Sequence, residues 1–171
     1  MITPSYCQMM ARYNAWQNQS LFQAAAGLSD ADREADRGAF FGGIRATLSH
    51  LMWADLIWIA RFEGGEGPDG TITTSPARYD WPTLWAERPK LDARIAAWSW
   101  MVTQDELDGE IRWHSFALGR DLAKPTAVCV AHLFNHQTHH RGQVHAMLTA
   151  AGARPDDTDI PFMPDEVPEW R

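Results

Sequence analysis

No proline interrupts the chain between Pro125 and Pro155, and apolar residues continue through that stretch until Gly152 gives a stop. Pro in the first turn and Gly just past the end are the usual punctuation of an α-helix. The sequence therefore predicts a long helix from Pro125 to about Ala151. Three further segments match it. Tyr6, Met9, Met10, Tyr13, Trp16 and Leu21 keep helical spacing from the Pro4-Ser5 start to Gly27. Ile44 to Glu63, ended by Gly64-Gly65, is apolar around its whole circumference through Leu51, Met52, Trp53, Leu56, Ile57, Trp58 and Ile59, so it must be buried on several faces. Leu84, Leu91, Ile95, Trp98 and Val102 form a stripe over Thr83 to Leu107, with charged residues opposite.

The connections are long. Ser29 to Gly38 is polar, with room for one helical turn, and Gly64 to Pro82 is a Gly-, Pro-, Thr- and Ser-rich loop that packs through Tyr79 and Trp81. Between Gly109 and Ala123, Ile111 and Trp113 alternate with charged residues and Gly119 interrupts, the pattern of a short hairpin or extended crossing. After Gly152, Pro155, Pro161, Pro164 and Pro168 with Asp156, Asp157 and Asp159 rule out helix, leaving a tail that wraps the surface and is anchored by Phe162, Met163 and Trp170. The expected fold is all-α, an antiparallel four-helix bundle with long connections and an extended C-terminal tail, in a single domain over residues 1–171. A chain of 171 residues with 45% hydrophobic and 22% charged side chains suits one core.

Composition narrows function. The formal charge is −7 and basic residues do not cluster, which argues against nucleic acid and anionic membrane as partners. The most apolar run, Leu51 to Ala60, contains Asp55 and falls well short of the roughly 20 residues needed to cross a bilayer. The start Met1-Ile-Thr-Pro-Ser-Tyr lacks a signal-peptide pattern, so the expected location is cytoplasmic. Cys7 and Cys129 form no Cys-x-x-Cys pair and read as buried thiols.

His132, His136, His139, His140 and His145 crowd into one piece of the fourth helix. His136 and His140 project from one face a turn apart, near enough for both imidazoles to reach one cation, and His132 with His136 has the same geometry. Neutral imidazole binds Zn, Ni, Fe or Cu, so a metal site is indicated, but spacing alone does not choose between the two pairs. A third ligand must come from another helix. His50, midway along the most apolar one, is the natural candidate, since a buried imidazole without a partner is costly. Cys129 stands about 10.5 Å from His136 along the helix axis, too far to share the ion.

The stretch His132-Leu-Phe-Asn-His136-Gln-Thr-His139-His140-Arg141-Gly142-Gln143, preceded by Ser49-His50-Leu-Met-Trp-Ala-Asp55, resembles the DinB/YfiT-like metal-binding proteins, as does the tail Asp159-Ile-Pro-Phe-Met-Pro. The resemblance implies a bundle of four antiparallel helices, a homodimer, and one divalent transition metal, Zn or Ni, on His50, His136 and His140. It also implies one of two activities, thiol S-transfer with a low-molecular-weight thiol or hydrolysis, on a small-molecule substrate. Three neutral ligands leave a coordination position open, as in catalytic and not structural sites. The rival reading is a stress protein whose metal staples two helices without catalysis. The absence of Glu-x-x-His and of His-Glu-x-x-His counts against a di-iron centre and a zinc metalloprotease.

The remaining candidates are supporting ones. Asp55, Glu63 and Asp159 are carboxylates that could accept the second ring N–H of a ligand. His132 and His139 are expected at the surface, Arg141 and Gln143 in helix packing or, for Arg141, an anion contact. Trp53, Trp58, Trp85 and Trp98 sit at core spacing, which leaves Trp81 and Trp113 to line a pocket.

Overall fold

Short polar side chains set where the helices begin. In the computed structural model, which describes residues 2–115, 118–166 and 170, the Thr3 hydroxyl accepts from the Tyr6 amide and opens α1, Pro4–Ala26. Ser29 caps the single-turn α2, Asp30–Glu34, and Asp80 caps α4, Trp81–Met101. Each such cap is worth about 1 kcal/mol. The second long helix, α3, runs Ile44–Phe62 and takes Gly43 as its N-cap. Here a glycine is required: a Cβ on Gly43 would lie 2.9 Å from the Ala35 carbonyl oxygen and 3.0 Å from that of Glu34. The last long helix, α6, is Thr126–Ala150 and is closed by Ala151 and Gly152.

Two expectations about boundaries are corrected. The third helix does not reach Leu107. It stops at Met101, and Thr103 starts a separate turn, α5, Gln104–Asp108, through a reciprocal capping box with Glu106. Nor is 64–82 wholly irregular, since it contains a 3-10 turn at Ser75–Ala77 and α4 begins inside it.

Each long helix packs against two of the other three, in the cyclic order α1, α4, α3, α6. Contacts fix their directions. Phe22 stacks on Trp81 and Asn18 meets Asp92, so α1 and α4 are antiparallel. Trp58 meets His132 while His50 meets His136, so α3 and α6 are antiparallel too. The other neighbours run parallel: Asp55 with Arg88 and Phe62 with Trp98 for α3 and α4, Tyr6 with Phe134 and Asn14 with Arg141 for α1 and α6. Of the connections between long helices, α3 to α4 joins parallel neighbours, which no tight turn can do, while α1 to α3 and α4 to α6 join helices that are not neighbours in the ring, which also takes a long connection.

The chain is mostly helical but not all-α. Glu110–Ser115 (β1) and Arg120–Pro125 (β2) form a two-stranded antiparallel sheet with Trp113 opposite Leu122, the hairpin that the alternation of Ile111 and Trp113 suggested. β1 packs on α3, which also touches α2, α4, α6 and the 3-10 turn, and this accounts for the apolar circumference of that helix. No described helix is long and apolar enough to cross a membrane.

The tail lies along α1. Ser20, Gln17 and Tyr13 bond successively to Asp156, Asp157 and Thr158, and Arg12 donates to the carbonyls of Pro164 and Asp165. Met163 and Trp170 pack on the core as expected, Trp170 at 5.5 Å from Phe22. Phe162 does not: it sits on a 3-10 turn, Ile160–Phe162, and is 71% exposed. Pro168 lies outside the described residues. Cys7 and Cys129 are buried free thiols.

Candidate metal centre

His50 of α3 and His136 and His140 of α6 converge. One ligand atom from each lies within 4.8 Å of the others, a group able to hold a metal ion. Antiparallel packing of α3 on α6 produces this, because the turn-spaced pair on α6 presents both rings to a single residue of α3. His132 is not in the group, although its ring lies 5.4 Å from that of His136. The choice that spacing left open therefore falls to His136 with His140.

Hydrogen bonds set the tautomers. Ser75 donates its hydroxyl proton to the Ile72 carbonyl, so at 2.9 Å from His50 Nδ1 it can only accept. His50 thus carries its proton on Nδ1, and Nε2 is left with a lone pair. The Oε1 of Gln143, an acceptor, lies 2.8 Å from His140 Nδ1, which must likewise be the protonated nitrogen. His50 Nε2 and His136 Nε2 face each other at 3.2 Å. The buried Nδ1 of His136 has no partner.

The local electrostatics favour neutral rings. Burial, then the neighbouring His140, lowers the His50 pKa to about 4, and burial with the surrounding imidazoles lowers that of His136 to about 3. Burial also depresses His140. Three neutral imidazoles with no carboxylate in the group are a donor set suited to a divalent transition metal such as Zn, Ni, Fe or Cu.

Phe41 was not foreseen. The sharp turn at Gly42, φ +79°, and the tight approach at Gly43 bring its ring 4.1 Å from His50 and 5.4 Å from His140, an apolar cover on one side of the triad. Its adjacency to Gly42-Gly43 was the available signal. The 3-10 turn that carries Ser75 was also missed, and nothing in a loop-like composition marks one serine among several as the partner of a ligand.

The three expected carboxylate partners are elsewhere. Asp55 is fully buried, 2.8 Å from Arg88 Nη1, Glu63 pairs with Arg94, and Asp159 is exposed ahead of the 3-10 turn. Arg88 also binds Asp92, which accepts from Asn18. Arg141, buried on α6, donates to Asn14 and Gln137. Of the two roles expected for it, helix packing and an anion contact, this place in a core network is the packing one. Trp81 stacks on Phe22 and packs with the core instead of lining a pocket, whereas Trp113 packs on Trp58 beside His132. His139 is exposed and accepts at 3.4 Å from Gln143.

Comparison with known proteins agrees with this architecture. The chain is 27% identical over 151 residues to Protein DinB of Bacillus subtilis (strain 168), covering 86% of this chain and 87% of the relative. No solved structure gives a significant match. The profile of the DinB family matches residues 1–171, and the chain belongs to that family.

Proposed function

We propose that the protein binds one divalent transition metal, Zn or Ni, through His50, His136 and His140, and is an enzyme that activates a thiol or a water molecule for attack on a small electrophile. The reaction is S-transfer or hydrolysis. The observation that carries this reading is the convergence of three neutral imidazoles whose tautomers, at His50 and His140, are fixed to aim Nε2 inward. A divalent ion held there supplies Lewis acidity, which brings a thiol or water to its deprotonated form near neutral pH.

The chain's own groups divide the remaining work. Ser75 and Gln143 hold two ligand rings in orientation, as outer partners of metal-binding histidines do. Phe41 excludes water from its side of the triad. The opposite side leads past half-buried His136 to exposed His132, whose ring is depressed in pKa by burial and then by Arg61, so that at neutral pH it offers a lone pair for a departing proton. In this reading the ring of helices is a four-helix bundle, the chain is a cytoplasmic homodimer, and its partner is a small molecule with access from the His132 side.

One observation favours a second reading. The triad joins α3 to α6, so an ion there would also tie two helices together without catalysis. Metal analysis of protein purified without added metal, visible spectroscopy of the Co(II)-loaded form, and a thiol screen with a chromogenic electrophile separate the two. An exchangeable position and thiol- or water-dependent turnover are expected. A closed site that neither thiols nor water enter, with no turnover, identifies the staple.

A further inference from the structure

Arg61 lies in the last turn of α3, its guanidinium carbon 4.7 Å from the ring centre of Trp58 and 4.8 Å from that of Trp113. The two indoles meet edge to face at 5.7 Å, so a helix and a strand grip one planar cation between them. The indole planes stand at 70° to one another, so the guanidinium lies flat on at most one of them, and neither ring supplies a lone-pair acceptor for its N–H groups. Those groups have no hydrogen bond or ion pair among the described residues, and their nitrogens are not sealed from solvent. The contrast with other shielded arginines is clear: Arg33 pairs with Asp30, Arg45 with Glu34, and Arg88 with both Asp55 and Asp92.

An unpaired, half-buried cation has a cost, and burial lowers the Arg61 pKa. The two aromatic contacts offset part of it, but an apolar side chain would fill the same space without the cost. The position explains the charge better. Rings lead from the triad to Arg61, with His136 5.4 Å from His132 and His132 5.0 Å from Trp58. Arg61 is close enough to His132 to depress it, and Arg61 and Lys124 both act on Cys129. Cys129 in turn favours the charged form of Arg61, against the burial that lowers its pKa. In a chain of net charge −7, two cations, Arg61 and Lys124, are thus close to Cys129, and Arg61 is close to His132 as well.

We infer that Arg61 is the anchor for a carboxylate on a ligand whose other end reaches the metal centre. The ligand is an extended small molecule that lies along Trp58 and His132. A carboxylate is the match because the open edge of a guanidinium held between two rings presents parallel N–H donors in one plane. This inference rests on the reading of the triad as an open metal site.

The test uses Co(II)-loaded full-length protein and two probe series of equal chain length, ω-mercaptocarboxylic acids and ω-mercaptoalcohols, followed by Co(II) absorption and tryptophan fluorescence. Beyond a threshold length the acids should bind about tenfold more tightly than the alcohols. Arg61→Gln should erase that preference while metal stoichiometry and 2-mercaptoethanol binding stay as they were, and Arg61→Lys should keep part of it. Equal affinities for acid and alcohol at every length in the unmodified protein would overturn the anchor, a result that depends on no variant folding. A Co(II) spectrum that no thiol perturbs would instead sink thiol activation. Alkanoates then read the anchor alone: saturable, Arg61-dependent quenching supports it and the absence of saturable quenching overturns it.

Discussion

Two polar clusters share the interior of this protein, and α6 carries part of each. Gln137 and Arg141 point into a network of Asp55, Arg88, Asp92, Asn14 and Asn18 that draws on all four long helices. His136 and His140, each one residue earlier, point to His50. The network sets two carboxylates against two guanidinium groups, and burial pushes the pKa of Asp55 and Asp92 up against the pull of Arg88. Burial opposes the charge of Arg88, but its two carboxylates outweigh that and hold its pKa above the ordinary value, while Arg141, lowered by burial to about 10, stays charged at neutral pH. The triad includes no carboxylate, and one ring nitrogen from each of three histidines converges where a cation is the natural complement. One cluster pairs its charges within the chain, although Asp55 Oδ1, Asp92 Oδ2 and Arg141 Nη2 have no hydrogen-bond partner among the described residues, and the other is built to receive something.

This contrast is open to experiment. Removing a triad ring should have the largest effect. His136→Ala is expected to abolish stoichiometric metal, whereas His139→Ala, at an exposed position outside the triad, retains it; equal loss in both by elemental analysis would refute the ligand assignment. Damage to the network should have the reverse profile. Arg88→Met strands two buried carboxylates and should cost about 3–5 kcal/mol in urea unfolding of the metal-free protein, the usual penalty for breaking a buried pair from one side. Whatever remains folded should still bind metal one to one. A variant with normal stability but lost metal would mean that the two clusters are not separable.

The same contrast marks what could be read from the sequence. The triad was legible because its chemistry is local: a turn-spaced pair of histidines declares its own geometry, and a histidine in the most apolar helix needs a partner. Where spacing left His132 open, the family resemblance singled out His50, His136 and His140, and the antiparallel contact of α3 with α6 is what brings those three rings together. The network was not legible. Asp55 and Arg141 are ordinary surface residue types, and only the relative rotation of four helices turns both inward, so Asp55 read as a partner of a ligand and Arg141 as packing or an anion contact. Helix directions were half legible. Long connections at 64–82 and 102–125 pointed away from hairpins, yet which neighbours run parallel depends on which faces meet. The break at Val102 was visible in Thr103-Gln-Asp-Glu106, a capping box hidden by an apolar stripe that runs through it.

Acid should separate the clusters by a smaller margin. His50 and His136 are held neutral in the folded chain, with pKa values of about 4 and 3 against an ordinary 6.5, and His140 is shifted in the same direction. The unfolded chain therefore binds more protons between pH 6.5 and about 4, and the stability of metal-free protein falls as pH drops through that window. The slope approaches about 1.4 kcal/mol per pH unit for each ring kept neutral. Urea titrations of the metal-free protein at pH 7, 6 and 5 should show this loss, and His136→Asn should reduce it. A flat profile from pH 7 to 5 would mean that the rings are not shielded. Asp80, depressed in pKa by the Thr83 side chain and then by its amide, and Glu106, depressed by the Thr103 amide and then its side chain, add their own loss only as pH falls below the ordinary carboxylate range.

The finest distinction lies within the triad. Ser75 and Gln143 do the same job for His50 and His140, but from different surroundings: Ser75 is fully buried and ties its hydroxyl to Ile72, whereas Gln143 is half-buried and also reaches exposed His139. Replacing the outer partner of a metal-bound histidine typically weakens metal about 10- to 100-fold. Ser75→Ala should fall at the upper end, because no solvent can take the place of the lost acceptor behind buried His50. Gln143→Leu should fall at the lower end, since water can reach the Nδ1 side of His140 and supply an acceptor. Competition titration with a chromogenic chelator reads both constants. If the order is reversed, burial of the outer partner is not what holds His50 in register, and the bond between His50 and Ser75 is a consequence of the packing of the 64–80 connection instead of a support for the site.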